Sequence, residues 1–292
     1  MLDPDNFDHR YIQINGIRMH YVQAGTGKRL LLLLHGFPEF WWSWRYQIAA
    51  LSEHFTVVAP DLRGYNQTDK PAWGYELDVL VHDVVSLIRE LGYARAIVAG
   101  HDWGGNIAWS LAIAYPHRVE RLIALNIPHP ALIARALGRN WRQTLRSWYF
   151  LFFQLPFLPE AMIRANNYAS VERAFRGMAV DKSHFGDEEL AEFKAALAQP
   201  GALTAAINYY RALFRQGACG LFHGTGMLVQ LPTLMIWGEE DTALGKELTY
   251  GTEQFVPDLR IRYIPRCSHW VQQEQPDLVN QYMLEFLSDL RS

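Results

Sequence analysis

One segment places an acidic side chain between a strand pattern and a helix pattern. The apolar run Ala96–Ala99 continues as Gly100-His101-Asp102-Trp103-Gly104, and a helical pattern follows it. A Gly-x-nucleophile-x-Gly turn between a strand and a helix lifts its central side chain above the sheet, and its glycines tolerate the strained backbone. An aspartate at this place can alternatively cap the helix that follows. We predict that Asp102 is a nucleophile, because a carboxylate held above the sheet in this way can attack a bound molecule.

Two later strand-like runs end close to residues that could assist Asp102. The run ending at Trp237 leads into Gly-Glu-Glu-Asp241, and the run ending at Ile264 is followed by His269. Taken separately, Asp241 has the residue type of an ordinary turn, and His269 is one of the 11 histidines in the chain. Together with Asp102 they follow the chain order nucleophile, acid, base. We therefore predict a catalytic triad in which Asp241 orients His269 and His269 is the general base.

Backbone N–H groups near these strand ends could stabilise negative charge on an oxygen. The run Leu30–Leu34 leads into a His-Gly-Phe-Pro loop that contains Phe37, and Trp103 directly follows the nucleophile. Around such an elbow, the N–H after the nucleophile and an N–H from a neighbouring loop form an oxyanion hole. We predict this role for the N–H groups of Phe37 and Trp103.

A carboxylate nucleophile restricts the class of substrate. When it displaces a leaving group from saturated carbon it forms an alkyl ester, whereas attack on an amide or ester would give an anhydride. The substrate must therefore carry a strained C–O bond or a halide on carbon. His269 would next activate a water molecule to attack the carbonyl carbon of the Asp102 ester. An alkoxide leaving group needs a proton and a halide does not, so a tyrosine acid in the site would favour the first class.

The elements that must position these residues follow from hydrophobic patterning. Two alternating segments joined by Asn15-Gly16 predict an antiparallel hairpin over residues 11–22. Continuous apolar runs indicate strands buried on both faces, and these runs are Leu30–Leu34, Thr56–Ala59, Ala96–Ala99, Leu122–Leu125, Leu234–Trp237 and Arg260–Ile264. Helical patterns separate several of them, namely Trp44–Leu51, Leu77–Leu91, Asn106–Tyr115 and Pro276–Leu290. The alternation predicts an α/β fold with a mostly parallel, doubly wound sheet.

The region from residue 130 to residue 226 interrupts this alternation. It has no strand-like run, and its helix-like stretches are Ala131–Leu137, Glu188–Leu197 and Thr204–Phe214. Most of its aromatic residues would simply hold the insert on the core, which does not explain the adjacent pair Tyr209 and Tyr210. Because ligands of open α/β sheets bind at the carboxyl ends of the strands, we expect residues 130–226 to form a helical cap. The core is then residues 1–129 and 227–292.

Composition excludes several classes of protein. The 292 residues are 50% hydrophobic with a net charge of −3, which suits a folded enzyme and argues against a nucleic-acid binder. Cys219 and Cys267 are too few for a disulfide framework or a four-sulfur zinc site, and we expect neither a metal nor a cofactor. The longest apolar run is the six residues Trp148–Phe153, and a spanning helix needs about 20. We expect a soluble, cytoplasmic protein without stable membrane anchoring. The sequence does not decide whether the chain forms a homodimer.

Residues 10–290 resemble the soluble, cytosolic-type epoxide hydrolases of the α/β-hydrolase fold. The motifs that carry the resemblance are His35-Gly36-Phe37-Pro38, Asp61-Leu62-Arg63-Gly64-Tyr65, Gly100-His101-Asp102-Trp103-Gly104-Gly105, Trp237-Gly238-Glu239-Glu240-Asp241 and Ser268-His269-Trp270. The resemblance implies the α/β-hydrolase fold with an inserted cap. It also implies that water and a small apolar epoxide are converted to a vicinal diol without a cofactor.

The resemblance further implies two cap tyrosines that hold and protonate the epoxide oxygen. Tyr210 stands at the matching position of an Asn-aromatic-Tyr-Arg motif, and Tyr149 opens a segment similar to the second cap motif, from which Phe152 departs. Tyr168 and Tyr209 stay open as alternative partners of Tyr210. The residues expected to line the substrate pocket are Phe37, Pro38, Trp103, Phe150, Phe153 and Trp270.

Haloalkane dehalogenases give a second interpretation, since they share the Asp-Trp elbow. Their halide-binding Asn commonly follows His-Gly, where this chain has Phe37. Fluoroacetate dehalogenases carry arginines where this chain has Trp103 and Asn106. Both departures favour an epoxide over a halide. A third interpretation is a ligand-sensing α/β-hydrolase whose cap reports binding, although the triad carries no sign of damage.

Overall fold

Eight strands form one sheet in the computed structural model, which describes residues 3–136, 139–216 and 227–291. The strands are β1 (Asp8–Ile14), β2 (Ile17–Ala24), β3 (Leu30–Leu34), β4 (Thr56–Pro60), β5 (Ala96–His101), β6 (Val119–Leu125), β7 (Thr233–Gly238) and β8 (Leu259–Ile264). Their order across the sheet is β1-β2-β4-β3-β5-β6-β7-β8. β2 pairs with β1 and β4 in antiparallel fashion, and the other neighbours are parallel. The predicted mostly parallel sheet with its N-terminal hairpin is confirmed.

The central strands have no solvent-facing side. Every residue of β3, β4, β5 and β7 is buried, which is why these strands appear in the sequence as continuous apolar runs. The observed strands extend the predicted runs by up to three residues, since backbone pairing continues into polar residues that the apolar pattern omits. At the hairpin, Asn15 and Gly16 have φ of 41° and 78°, as a two-residue type I′ turn requires.

Five helices pack around this sheet. They are α1 (Arg45–Leu51), α2 (Leu77–Glu90), α3 (Asp102–Ala114), α10 (Val271–Glu274) and α11 (Pro276–Phe286). A 3₁₀ turn, Trp41–Trp44, precedes α1, and another, Ser288–Leu290, follows α11. The start of α3 lies four residues before the predicted one, because the glycines of the elbow interrupt the helical pattern that the sequence shows.

The described residues between β6 and β7 form helices and no strand. These helices are α4 (Pro130–Ala136), α5 (Trp141–Arg146), α6 (Trp148–Phe152), α7 (Leu158–Met178), α8 (Asp187–Ala198) and α9 (Ala202–Gln216). The helical stretches predicted at 188–197 and 204–214 lie inside α8 and α9. Leu137, Cys219 and the cap boundary at residue 226 lie outside the described residues, and the division into domains stays a prediction.

Tyr209 on α9 attaches this helix to the segment that follows β4. Its hydroxyl donates to the backbone oxygen of Arg63 at 2.7 Å, and its ring packs edge-on against Tyr65 and Trp103. Arg63 is itself fixed by a buried two-point pair with Asp83, at 2.6 and 2.7 Å. One of the two adjacent tyrosines is therefore structural, and its role is to hold α9 over the sheet.

The segment α7 spans 21 residues and carries charges along its length, but Ala165–Tyr168 leave helical geometry and divide it into two shorter helices. Within the described ranges, no helix combines the length and the apolar character needed to cross a bilayer. The cytoplasmic location and the homodimer stay predictions.

Candidate active site

Asp102 lies at a strained turn between β5 and α3. Its φ of 49° falls in the left-handed region, which costs a non-glycine residue about 1–3 kcal/mol. A Cβ at position 104 would lie 2.2 Å from the backbone oxygen of Leu34, and one at position 36 would lie 2.5 Å from the Asp102 Cβ. Glycine is therefore required on both sides, so that the elbow closes against the loop after β3. This geometry is that of a nucleophile elbow and goes beyond a simple helix cap.

Two groups contact the Asp102 carboxylate. The Phe37 N–H donates to Oδ1 at 2.9 Å, and His269 Nε2 lies 3.6 Å from Oδ2. An N–H that already faces Oδ1 is placed to donate to the same oxygen once the carboxylate becomes an ester. Trp103 is the next residue of α3, and the donor role of its N–H stays a prediction.

His269 is oriented by Asp241, which follows β7. The His269 Nδ1–H donates to Asp241 Oδ2 at 2.7 Å. The other oxygen of Asp241 accepts from the N–H groups of Ala243 and Leu244 at 2.7 and 2.8 Å, and Asn126 Nδ2 donates to Oδ2 at 2.8 Å. These bonds fix the ring, leaving Nε2 directed at the nucleophile. No pattern in the sequence singles out Asn126, although it directly follows β6 at the same sheet edge.

Burial acts on both Asp102 and His269, yet the pKa of each is shifted in the direction that favours its charged form. Burial raises the pKa of Asp102, but the hydrogen bond and the positive charge of His269 outweigh it, so the pKa lies below its ordinary value. Burial lowers the pKa of His269, but the carboxylates of Asp241 and Asp102 outweigh it and hold that pKa well above the ordinary value. The resting site is therefore an ion pair between an Asp102 carboxylate and a His269 imidazolium.

A second buried pair lies behind the triad and was missed from the sequence. His101 contacts the Glu39 carboxylate through Nδ1 at 2.7 Å and the His269 backbone oxygen through Nε2 at 2.8 Å. Both partners are hydrogen-bond acceptors, so both ring nitrogens of His101 are placed to donate. Glu39 also accepts from the Gly36 N–H at 2.9 Å, and its pKa is held low because the charge of His101 outweighs burial. The pair links the Phe37 loop, the elbow and the His269 loop.

The two predicted cap tyrosines meet above the nucleophile. The rings of Tyr149 and Tyr210 lie 5.8 Å apart, edge to face, and both border the same cavity as Asp102. Burial and the negative charge of Asp102 raise the pKa of both phenols, so both keep their protons. Tyr209 is committed to Arg63, and Tyr168 does not border this cavity. The geometry thus favours Tyr149 as the partner of Tyr210.

The cavity has a volume of about 580 Å³. Two of the predicted pocket residues, Trp103 and Phe150, line it. Phe37, Pro38, Phe153 and Trp270 are not among its lining residues, and their predicted contact with substrate stays a prediction. Further lining residues come from β6–α4, α5, α6, the end of α9 and the loop after β7; they include Ile127, Pro128, Ile133, Trp148, Leu151, Leu213, Phe214 and Leu244.

Packing explains why these aromatic residues lie elsewhere. Phe37 and Phe153 stack edge-on against Tyr210, with ring centroids 5.3 and 4.9 Å away. They therefore support the tyrosine from behind. Trp270 is buried between His269 and Phe175, with ring centroids 4.9 and 4.4 Å away, and supports the base. Sequence proximity to a catalytic residue does not distinguish lining a cavity from packing behind its wall.

No other chemistry competes with the triad in the described part of the chain. No group of three or more His, Cys, Asp or Glu side chains there could hold a metal ion. Burial, aided by the charge of Glu274, raises the pKa of the Cys267 thiol, so this cysteine is not a thiolate nucleophile.

Comparisons with known proteins assign the chain to a family. The α/β hydrolase fold family matches residues 29–276. The chain is 41% identical to human epoxide hydrolase 4 over 98% of its own length and 81% of the relative. It is also 41% identical to the AB hydrolase superfamily protein YfhM of Bacillus subtilis, over 98% and 99% of the two chains. The crystal structure of Bacillus megaterium epoxide hydrolase with an inhibitor superposes with a TM-score of 0.90 at 34% identity, covering 96% of this chain and all of that one. The chain therefore belongs to the α/β hydrolase fold family, within the group whose relatives are named epoxide hydrolases.

Proposed function

We propose that this enzyme hydrolyses an apolar epoxide to a vicinal diol through an alkyl ester on Asp102. The observation that carries the proposal is that one cavity is bordered by a carboxylate nucleophile and two protonated tyrosines. The names of the relatives in human and Bacillus megaterium support the same substrate class. The lining outside Asp102 and the tyrosines is mostly apolar, which favours alkyl or aryl epoxides.

The first step opens the ring. An oxygen of Asp102 attacks one epoxide carbon, the bond from that carbon to the ring oxygen breaks, and the oxygen takes a proton from Tyr149 or Tyr210. A phenol with a raised pKa gives its proton only to a stronger base, and the alkoxide that forms as the ring opens is such a base. The proton is therefore transferred as the C–O bond breaks. A halide leaving group does not need this proton.

Ester formation prepares the second step. It removes the negative charge of Asp102, which is one of the two carboxylates that raise the pKa of His269. The pKa of His269 therefore falls once the ester exists, and its imidazolium proton passes through solvent to the tyrosinate that ring opening left behind, so that His269 becomes a neutral base. Water gives a proton to Nε2 as its oxygen attacks the Asp102 carbonyl carbon, and the Phe37 N–H faces the oxyanion. The diol oxygen leaves with that proton from His269, and the remaining proton of water passes from the Asp102 carboxyl to His269, which restores the carboxylate and the imidazolium.

Intact-mass measurement of His269→Gln tests the covalent route. This variant should open the epoxide once and stall, so that its mass rises by the mass of the substrate. The matched control His82→Gln changes a histidine on α2 and should turn over normally with no mass increase. An unchanged mass of His269→Gln, with a substrate that the unaltered enzyme hydrolyses, would contradict the ester.

Parallel assay of diol and halide decides the substrate class. Wild-type enzyme is given mixed epoxides and haloalkanes, with Asp102→Ala as the blank. Diol without halide supports the proposal. Halide without diol would assign the same nucleophile to haloalkane dehalogenation, with the Trp103 indole, which lines the cavity, as one halide donor. No product from either set, with ligand binding retained, would favour the sensing interpretation.

A further inference from the structure

The outer surface of the cap carries an exposed apolar face. It consists of Trp141, Leu145, Trp148, Leu151, Leu155 and Phe157, and we call these six residues the cap face. Trp141 and Leu145 lie on α5, Trp148 and Leu151 lie on α6, and Leu155 and Phe157 follow α6, so the six exposed residues belong to one continuous segment of the chain. Phe157 is 84% exposed and Trp141 is 67% exposed. Single exposed apolar residues are ordinary, but a run of this size marks an interaction surface.

Basic residues surround the cap face without acidic neighbours in the sequence. Residues 130–159 contain Arg135, Arg139, Arg142 and Arg146 and no Asp or Glu, although the whole chain has a net charge of −3. In the ranges that the structure describes, Arg139 and Arg142 form no ion pair, and both are exposed. Arg146 lies 3.7 Å from Glu247. Exposed Trp, Phe and Leu beside arginine is the composition of surfaces that lie in the headgroup region of a bilayer.

The cap face is continuous with the wall of the catalytic cavity. Trp148 and Leu151 are 62% and 64% exposed, and both also line the cavity that holds Asp102. Two residues therefore belong to the outer face and the inner wall at once. An apolar molecule that leaves a membrane in contact with the cap face would therefore reach the cavity without passing through bulk water.

We propose that the cap face docks reversibly on an anionic phospholipid membrane and admits lipophilic epoxides from it to Asp102. The docking does not depend on the proposed function, whereas the identity of the admitted substrate does. A second copy of the chain fits less well, since a two-fold contact through this face would bring Arg139 and Arg142 against the same residues of the copy. The contact is superficial and salt-sensitive, and it differs from stable anchoring.

Vesicle co-sedimentation tests the docking directly. Wild-type protein is mixed with sucrose-loaded vesicles of phosphatidylcholine alone or with one third phosphatidylserine. It should sediment with the anionic vesicles, much less with the neutral ones, and be released by 0.5 M salt. Protein that stays in the supernatant with both vesicles, or that sediments equally with both, overturns the proposal.

Matched variants locate the surface. Trp141→Ser with Phe157→Ser should lower partitioning at least tenfold, whereas Trp73→Ser, which changes a 78% exposed tryptophan outside the cap, should leave it unchanged. Arg139→Gln with Arg142→Gln should lower it roughly 25-fold, at about fivefold for each arginine near an anionic surface. Arg89→Gln with Arg95→Gln, which removes two exposed arginines of the core, should not. Equal effects of the cap and core variants would overturn the assignment, as would a vesicle-independent dimer that the cap variants dissociate.

Two kinds of epoxide substrate distinguish a failure of the docking proposal from a failure of the proposed hydrolysis. A short water-soluble epoxide should be hydrolysed equally by the wild type and the Trp141/Phe157 variant, since neither residue lines the cavity. A long-chain epoxide embedded in anionic vesicles should be hydrolysed at least fivefold more slowly by the variant. Normal vesicle binding without hydrolysis of any epoxide would remove the proposed function and leave the docking. Normal hydrolysis with no difference between the proteins on embedded substrate would remove the delivery role and leave the proposed function.

Discussion

The sheet edge and the cap border the same cavity but hold their residues in different ways. At the sheet edge, Asp102 is fixed by a strained turn and by the Phe37 N–H, and His269 by hydrogen bonds to Asp241. In the cap, Tyr149 and Tyr210 are held by ring packing, against each other and against Phe150. Hydrogen bonds therefore fix the direction of the side chains at the sheet edge, whereas ring packing fixes the position of the two tyrosines in the helical insert.

The largest effect is expected at the edge. Among the described residues, Asp102 is the one carboxylate that borders the cavity. Asp102→Ala should lower kcat by about 10⁴-fold or more, because a triad whose nucleophile is lost keeps only residual activity. Steady-state kinetics with a proven epoxide measures this, and circular dichroism checks the fold. The exposed Asp289→Ala serves as control. Activity within tenfold of the wild type would place the nucleophile elsewhere.

In the cap, the tyrosines should matter to the chemistry and little to stability. Tyr149→Phe and Tyr210→Phe should each lower kcat/KM on an epoxide by about 10²–10⁴, the usual contribution of a general acid. Tyr209→Phe should instead lower the free energy of unfolding by about 1 kcal/mol, through the lost bond to Arg63. Tyr168→Phe is the control and should change neither. A reversed pattern, with Tyr168 essential and Tyr149 silent, would contradict the assignment.

Two Glu→Gln substitutions, one at the sheet edge and one in the cap, compare how much a buried carboxylate contributes to the free energy of unfolding in each region. Glu39→Gln removes the buried carboxylate that faces His101, and its amide N–H₂ must then meet the donors of Gly36 or Gln272, so it should lower the free energy of unfolding by about 3–5 kcal/mol. Glu160→Gln removes the partner of Arg211 in the cap and should cost about 1.5–3 kcal/mol, since Arg211 keeps its bonds to the Phe153 and Leu155 backbone oxygens. Urea unfolding gives both values. A larger cost for the cap variant would show that the cap is the more rigid region.

The junction of the two regions should respond to pH through His129, which precedes α4. Burial lowers the pKa of His129 to about 4, and its ring accepts from the Ala131 N–H and contacts the Met227 oxygen. The unfolded chain binds a proton near pH 6.5 and the folded chain does not, so stability should fall as the pH drops from 6.5 towards 4. The loss is of order 3 kcal/mol, at 1.36 kcal/mol for each unit of pKa difference. His129→Gln should flatten this part of the stability curve, and an unchanged slope would contradict the role.

Much of the sheet edge could be predicted because local signals carry it. The elbow is defined by glycines next to Asp102, and Asp241 and His269 follow buried strands that appear as continuous apolar runs. Parallel strands bring their carboxyl ends to one edge, so strand order in the sequence already implied a meeting of these residues. Glu39 and Asn126 were missed because a buried Glu or Asn has no distinctive pattern when its partner is far along the chain.

The sequence by itself determined the α/β fold, the helical nature of the insert and the residue types available for attack on carbon, since all three depend on periodicity and short spacings. Only the tertiary structure decided which aromatic residues line the cavity. Trp103 and Phe150 face it, while Phe37, Phe153 and Trp270 pack behind it. The same side chain can fill a core or line a cavity, and which one it does depends on the neighbours that the packed helices bring to it. The exposure of Trp141 and Phe157 was decided in the same way, because an apolar residue reveals its burial only once its surroundings are assembled.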